Sequence, residues 1–255
     1  MDKFLEGKTA LVTGASRGLG RAIAEILAEH GALVALNYAN NDEAARDTLA
    51  AIEAKGGEAF LIKCSQGSHA AAEELTAALD AELEKRTGST GLDVLINNAG
   101  GAPKATIEET TPDMYDKIIA DNLSGPYHIT RLLTPRLREG GSVIFTSSLG
   151  ARTSLASHAV YSFSKSAVER LTVITAKDLG PRNITVNCVS PGLIASDANA
   201  DIRSDENMKT YLEQTTPMRR LGIPSDLAGT VLCLVSPQMG YVTGQIIEVS
   251  GGMAL

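Results

Sequence analysis

The stretch Thr13-Gly14-Ala15-Ser16-Arg17-Gly18-Leu19-Gly20-Arg21, "TGASRGLGR", decides how the rest of the chain is read. It ends a short apolar run, "TALVTG" (9–14), and opens a stretch of helical periodicity over 18–30. Gly14 suits a tight turn, and Gly18 and Gly20 permit close approach of backbone and helix. The helix start then offers free N–H groups and a partial positive charge, which suit an anion such as a diphosphate. The spacing is G-x-x-x-G-x-G rather than G-x-G-x-x-G, so the turn alone is weak evidence for nucleotide binding. Its weight comes from standing after the first strand of a repeating series.

That series runs the length of the chain. "LVALNY" (33–38), "EAFLIKC" (58–64), "DVLINNA" (93–99), "SVIFTSS" (142–148), "ITVNCVS" (184–190) and "QIIEV" (245–249) read as further strands. Helical patterns near 42–55, 69–86, 111–137, 158–179 and 224–236 lie between them. Several strands are apolar nearly throughout, as strands covered on both faces are. The alternation predicts an α/β fold: a single-domain, Rossmann-like, doubly wound parallel seven-stranded sheet flanked by helices, over residues 1–255. Residues 193–216, polar and without glycine, are expected to form a substrate flap.

Bulk composition narrows the function classes. The 255 residues are 44% hydrophobic and carry a formal charge of −7, with no basic block, which argues against nucleic acid or an anionic membrane as partner. No run approaches the length needed to span a bilayer, and the start lacks a signal-peptide pattern, so a cytoplasmic protein is expected. Cys64, Cys188 and Cys233 sit in apolar runs and are expected to be buried thiols; the four histidines show no metal-ligand spacing, so no metal is expected.

The end of the second strand bears on the coenzyme. An acid there ordinarily binds the ribose 2′-hydroxyl of NAD. Here it reads Asn37-Tyr38-Ala39-Asn40, while Arg17 stands inside the glycine turn. A guanidinium pairs well with a 2′-phosphate, so NADP(H) is favoured; the plainer alternative is that Arg17 is a surface charge.

"YSFSK" (161–165) puts a phenol and an ammonium one helical turn apart. A free phenol ionises near pH ~10, and a nearby cation lowers that towards the range of an acid catalyst. The plainer reading is a half-buried Tyr161 beside a solvated Lys165, and the spacing alone does not decide between them.

Four motifs in order, "TGASRGLG" (13–20), "NNAG" (97–100), "SS" (147–148) and "YSFSK", with "SPG" (190–192) following, resemble the short-chain dehydrogenase/reductase family from Gly7 to Met253. The resemblance implies roles at matching positions. Ser148 bonds the substrate carbonyl, Tyr161 protonates it, and Lys165 lowers the tyrosine pKa and holds the nicotinamide ribose. Asn122, in "DNLSG", distorts its helix and anchors a water of the proton relay. The implied coenzyme contacts are Gly14, Ser16, Arg17, Gly18, Leu19 and Gly20 of the turn and Asn37, Tyr38 and Ala39 after the second strand. To these it adds Ser65 and Gln66 after the third strand, Asn98, Ala99 and Gly100 after the fourth, Tyr161 and Lys165, and Pro191, Gly192, Ile194 and Ser196 after the sixth. The chain departs from the family pattern twice. Cys64-Ser65-Gln66 stands where an Asp-Val pair is usual, and Ser250-Gly251-Gly252 where Asp-Gly-Gly is usual.

The expected function is NADPH-dependent reduction of a ketone, ketoester or 3-oxoacyl group. The alternative is an NADP-linked alcohol or sugar dehydrogenase working oxidatively. A cofactor-sensing protein would have little reason to keep Ser148, Tyr161 and Lys165 together. An epimerase would need more than the roughly 60 residues that follow Gly192. The resemblance implies a homotetramer paired through helices 111–137 and 158–179. Arg136, Arg138 and Arg182 are candidates for a basic patch that would dock an acidic carrier protein. Asp197, Asp201, Asp205 and Glu206 oppose it, so a free small-molecule carbonyl or alcohol is the expected substrate.

Overall fold

A computed structural model of the chain describes residues 3–195, 205–253 and 255. Seven parallel strands form one sheet in the order β3-β2-β1-β4-β5-β6-β7. They are β1 (Thr9–Val12), β2 (Leu33–Tyr38), β3 (Glu58–Lys63), β4 (Leu92–Asn97), β5 (Leu137–Thr146), β6 (Thr185–Pro191) and β7 (Ile246–Val249). The helices are α1 (Gly18–Glu29), α2 (Asp42–Ala54), α3 (His69–Thr87), α4 (Pro112–Ile119), α5 (Gly125–Leu133), α6 (Gly150–Thr153), α7 (Ala159–Leu179), α8 (Glu206–Thr215) and α9 (Pro224–Leu234).

Side chains alternate across each strand, so one run of apolar residues feeds two cores. Val12, Leu36, Ile96, Ile144 and Val189 face one way and pack with Ile23 and Leu27 of α1 and Leu227 and Val231 of α9. Leu11, Ala35, Leu95, Phe145 and Cys188 face the other way and pack with Leu79 of α3, Ile129 of α5 and Val168 of α7. Every strand runs in the same direction, so all the loops after the strands emerge at one edge. β1 pairs with both β2 and β4, and the chain order reverses there, which opens a crevice at the head of β1.

The seven expected strands and the expected parallel, doubly wound seven-stranded sheet are present, with several differences in detail. The helix expected over 111–137 stops at Leu133, and Leu137 already belongs to β5, paired with Leu92. The register shifts between Leu92 and Val94, which absorbs the Gly140-Gly141 turn inside β5. Residues 206–215 within the expected flap form α8, begun by the Asp205 carboxylate, which accepts from the N–H groups of Asn207 and Met208. Cys64 and Cys188 are buried, but Cys233 is exposed. α9 buries Leu227, Ala228, Val231 and Leu234, and Cys233 falls off that stripe.

Candidate active site

The glycine turn is held from three sides. Thr13, buried at the head of β1, accepts the Asn98 and Ala99 N–H groups on its hydroxyl oxygen, both at 3.0 Å. Asn98 Nδ2 donates to the Thr13 carbonyl at 3.0 Å. The Thr48 hydroxyl on α2 donates to the Ser16 carbonyl at 2.9 Å. Gly14 has φ +64°, and a Cβ there would meet Ala99 Cα at 2.9 Å. At Gly20 a Cβ would lie 2.1 Å from the Gly14 carbonyl oxygen. Both glycines are required by contact. α2, α3 and α4 each begin with a side-chain cap, from Asn41, Ser68 and Thr111. α1 has none, so its first N–H groups are free for an anionic ligand.

The other expected coenzyme positions line the same edge of the sheet. Ala39 and Arg17 are exposed beside the turn. Asn37 and Tyr38 are buried with their side chains engaged: Asn37 Nδ2 donates to the Cys64 carbonyl at 2.9 Å, and the Tyr38 hydroxyl to Asp42 at 2.8 Å. Ser65 is exposed, while Gln66 is 7% exposed and its Oε1 has no partner. Pro191 O accepts from Leu149 N–H at 2.9 Å, Gly192 N–H donates to Val249 O at 3.0 Å, and Ile194 is bridged to Gly222. Ser196 lies outside the described residues. Ser250, which replaces the usual acid, donates to Glu248 at 2.6 Å, and Glu248 pairs with Arg152 at 2.7 Å.

Tyr161 and Lys165 project from the first turns of α7 towards the head of β5, where Ser148 stands. Ser148 and Tyr161 are hydrogen-bonded, and Gly150 N–H donates to Ser148 Oγ at 3.1 Å. A Cβ at Gly150 would come within 3.3 Å of Ser148 Oγ and 3.7 Å of the Tyr161 ring. Lys165 is 4% exposed and donates from Nζ to the Thr146 carbonyl at 2.8 Å, with its ammonium 5.8 Å from the Tyr161 ring centre. Burial pulls the Lys165 pKa down to about 8. Burial likewise pushes the Tyr161 phenol up, with the Ser148 hydrogen bond pulling the other way. Neither of these causes is the ammonium, whose bonding partner is the Thr146 carbonyl.

Asn122 sits where the expected distortion falls. Ala120–Ser124 make one π-turn between α4 and α5. Asn122 is 1% exposed; its Nδ2 donates to Ile118 O at 3.0 Å and to Gly101 O at 2.9 Å, and its Oδ1 has no protein partner. A Cβ at Gly100 would lie 2.4 Å from that oxygen and 3.5 Å from Lys165 Nζ. Gly100 thus keeps open the space between an unpaired buried acceptor and a buried ammonium.

Sequence reasoning missed three parts of this arrangement. Thr13 braces the turn, and its position just before Gly14 was the available signal. Ser147 donates to Glu169 of α7 at 2.8 Å, locking β5 to the helix that carries Tyr161. His158 stands edge-on to Tyr161 at 6.3 Å, and nothing in its sequence context marked it.

A crevice at the switch point, an uncapped helix behind a glycine turn and a Ser-Tyr-Lys cluster define an oxidoreductase site built on a nucleotide-binding sheet. The chain belongs to the short-chain dehydrogenase/reductase family: the profile described as Enoyl-(Acyl carrier protein) reductase matches residues 14–254. It is 38% identical to versicolorin reductase 1 of Aspergillus parasiticus, over 97% of each chain. It is 41% identical to the 3-oxoacyl-acyl-carrier-protein reductase FabG of Staphylococcus aureus, over 96% of this chain and 98% of that one. Among solved structures it superposes on the angucycline C-6 ketoreductase LanV with bound NADP at a TM-score of 0.93 and 38% identity, covering 99% of this chain and 97% of that one.

Proposed function

We propose that the chain is an NADPH-dependent reductase that converts a carbonyl to a secondary alcohol. The observation that carries the reading is the meeting of Ser148, Tyr161 and Lys165 at the edge of the sheet where the uncapped start of α1 also opens. Bound NADPH supplies the hydride. Ser148 and Tyr161 donate hydrogen bonds to the substrate oxygen, where negative charge builds as the carbonyl is reduced. Tyr161 then gives up its proton. Lys165 holds the nicotinamide ribose, and Asn122, through the distorted turn, anchors a water that returns the proton from solvent. The free N–H groups of α1 and Arg17 take the phosphates. The Tyr161 phenol stays protonated at neutral pH, and the likeness to versicolorin reductase 1 and to the ketoreductase LanV supports reduction over the oxidative alternative.

The substrate is a free or esterified ketone. Three arginines that would dock an acidic carrier are spent within the chain. Arg136 grips Asp80 with Nε and Nη2, each at 2.6 Å, and Arg138 pairs with Asp93 at 2.7 Å. Arg182 donates to the carbonyls of Thr134 and Leu137. The chain works as one cytoplasmic catalytic domain; of the substrate flap read over 193–216, only 193–195 and 205–216 are among the described residues, and Asp197 and Asp201 lie outside them. No helix among the described residues is long and apolar enough to cross a membrane.

The testing experiment follows NADPH oxidation across ketones, 3-ketoesters and 3-oxoacyl carrier thioesters at low and high salt. Turnover of free ketones or esters is expected, with little salt dependence. A carrier substrate that wins by tenfold or more in kcat/KM, and loses that lead as salt rises, would overturn the substrate assignment.

A further inference from the structure

The corner where β2 turns into α2 touches the glycine turn through two bonds. Ala15 N–H donates to the Asn37 carbonyl at 2.9 Å, and the Thr48 hydroxyl donates to the Ser16 carbonyl at 2.9 Å. This is the corner that meets the 2′ position of an adenosine ribose in a doubly wound fold. The first acid after β2 stands here: Asp42, the opening residue of α2. Left to itself, such a carboxylate accepts from a 2′-hydroxyl and repels a 2′-phosphate.

Here both of its oxygens are taken. The Tyr38 hydroxyl donates to Oδ1 at 2.8 Å, and Lys63 Nζ donates to Oδ2 at 2.8 Å. Tyr38 is 8% exposed, so its ring is fixed by packing, and Lys63 is its partner across the β2–β3 ladder. The Lys63 hydrogen bond first, and that of Tyr38 second, hold the Asp42 carboxyl below the usual range, so it is an anion that needs a counter-charge. Arg46, one turn along α2, adds a cation felt by both Tyr38 and Asp42. The Lys63 and Asp42 side chains are 54% and 41% exposed, so the pair adds little to stability and needs another reason to be placed so closely.

We propose that Lys63 sets the coenzyme preference by cancelling Asp42, so that the 2′-phosphate of NADPH meets Arg17 and Arg46 without an opposing charge. The inference rests on the NADPH reading above and adds the residue that protects it. Lys63 is a positioning residue. It acts through Asp42 on the charge of the corner, and its influence is electrostatic and screened by salt.

The test is calorimetric titration of the coenzyme-free protein with 2′,5′-ADP and with 5′-AMP, in the wild type, Lys63→Met, Asp42→Asn and the double variant. Lys63→Met is expected to weaken 2′,5′-ADP at least threefold while leaving 5′-AMP unchanged, and the added Asp42→Asn is expected to restore it. A loss under threefold, an equal loss for 5′-AMP, or a loss that persists in the double variant would overturn the proposal. If Lys63→Met does not fold, Asp42→Asn decides. Unchanged or tighter 2′,5′-ADP binding supports the proposal, and weaker binding overturns it. A wild type that does not distinguish the two ligands would overturn the NADPH reading itself, a separate failure.

Discussion

Lys165 carries its charge where water does not reach it. Its pKa is pulled down to about 8 by burial, and the Thr146 carbonyl is its bonding partner at 2.8 Å. The group is an ammonium below that pH and an amine above it, so its grip on a ribose and its field at Tyr161 fade as the pH passes 8. The Tyr161 phenol is shifted the other way, upward, and stays protonated through the same interval. The alkaline limb of the rate therefore belongs to the lysine. kcat/KM for NADPH is expected to be level through neutral pH and to fall above about pH 8, since that ratio reports the free enzyme. Lys165→Met should lower the whole profile and flatten it. A wild-type profile still level near pH ~10, the ordinary range of an exposed lysine, would show the ammonium to be unperturbed.

At the scale of elements, the π-turn at Ala120–Ser124 matters most, because it turns Asn122 Oδ1 into an unpaired buried acceptor beside the Gly100 gap. Gly100→Ala places a methyl 2.4 Å from that oxygen, so either the loop or Asn122 must shift. Steady-state kinetics of this variant should show kcat down at least about tenfold, with KM for NADPH changed much less, because the loss falls on the transition state and not on coenzyme binding. An unchanged kcat would remove Asn122 from the mechanism. Element identity was largely legible in the chain, because apolar runs such as "DVLINN" and striped helices such as 18–30 each carry their own period. The position of Asn122 on a distorted turn came only through the family resemblance, since no local propensity marks a π-turn. The start of β5 at Leu137 was hidden because Leu132 to Leu137 continue a helical apolar stripe, and only pairing with Leu92 ends it. The partners of Asn37 and Arg136 were equally hidden, since Cys64 and Asp80 lie 27 and 56 residues away along the chain.

On the scale of the whole molecule, α4 and α7 present an apolar face to the outside. A groove of about 690 Å³ there is lined by Thr110, Tyr115, Leu155, Ala156 and Phe163 and holds none of Ser148, Tyr161 or Lys165. Phe163 is 47% exposed, Ile174 58% and Ile107 86%, and the Tyr115 and Phe163 rings meet at a tilt with centroids 6.2 Å apart. Patches of this kind mark association sites, and closed symmetry pairs identical faces. Light scattering at micromolar concentration is expected to give a tetramer, and Phe163→Glu a smaller species with the same circular dichroism. A wild-type monomer would contradict this reading.

The central claim is that Tyr161 hands a proton to a carbonyl oxygen while NADPH is held by other groups. Its most direct test compares wild type with Tyr161→Phe, measuring ketone-dependent NADPH oxidation and, separately, NADPH affinity by fluorescence titration. The account predicts a loss of about 10²–10⁴-fold in turnover, the usual weight of a positioned general acid, with NADPH affinity nearly unchanged. A variant that keeps more than about a tenth of wild-type turnover, or one whose loss is entirely in NADPH binding, would contradict it.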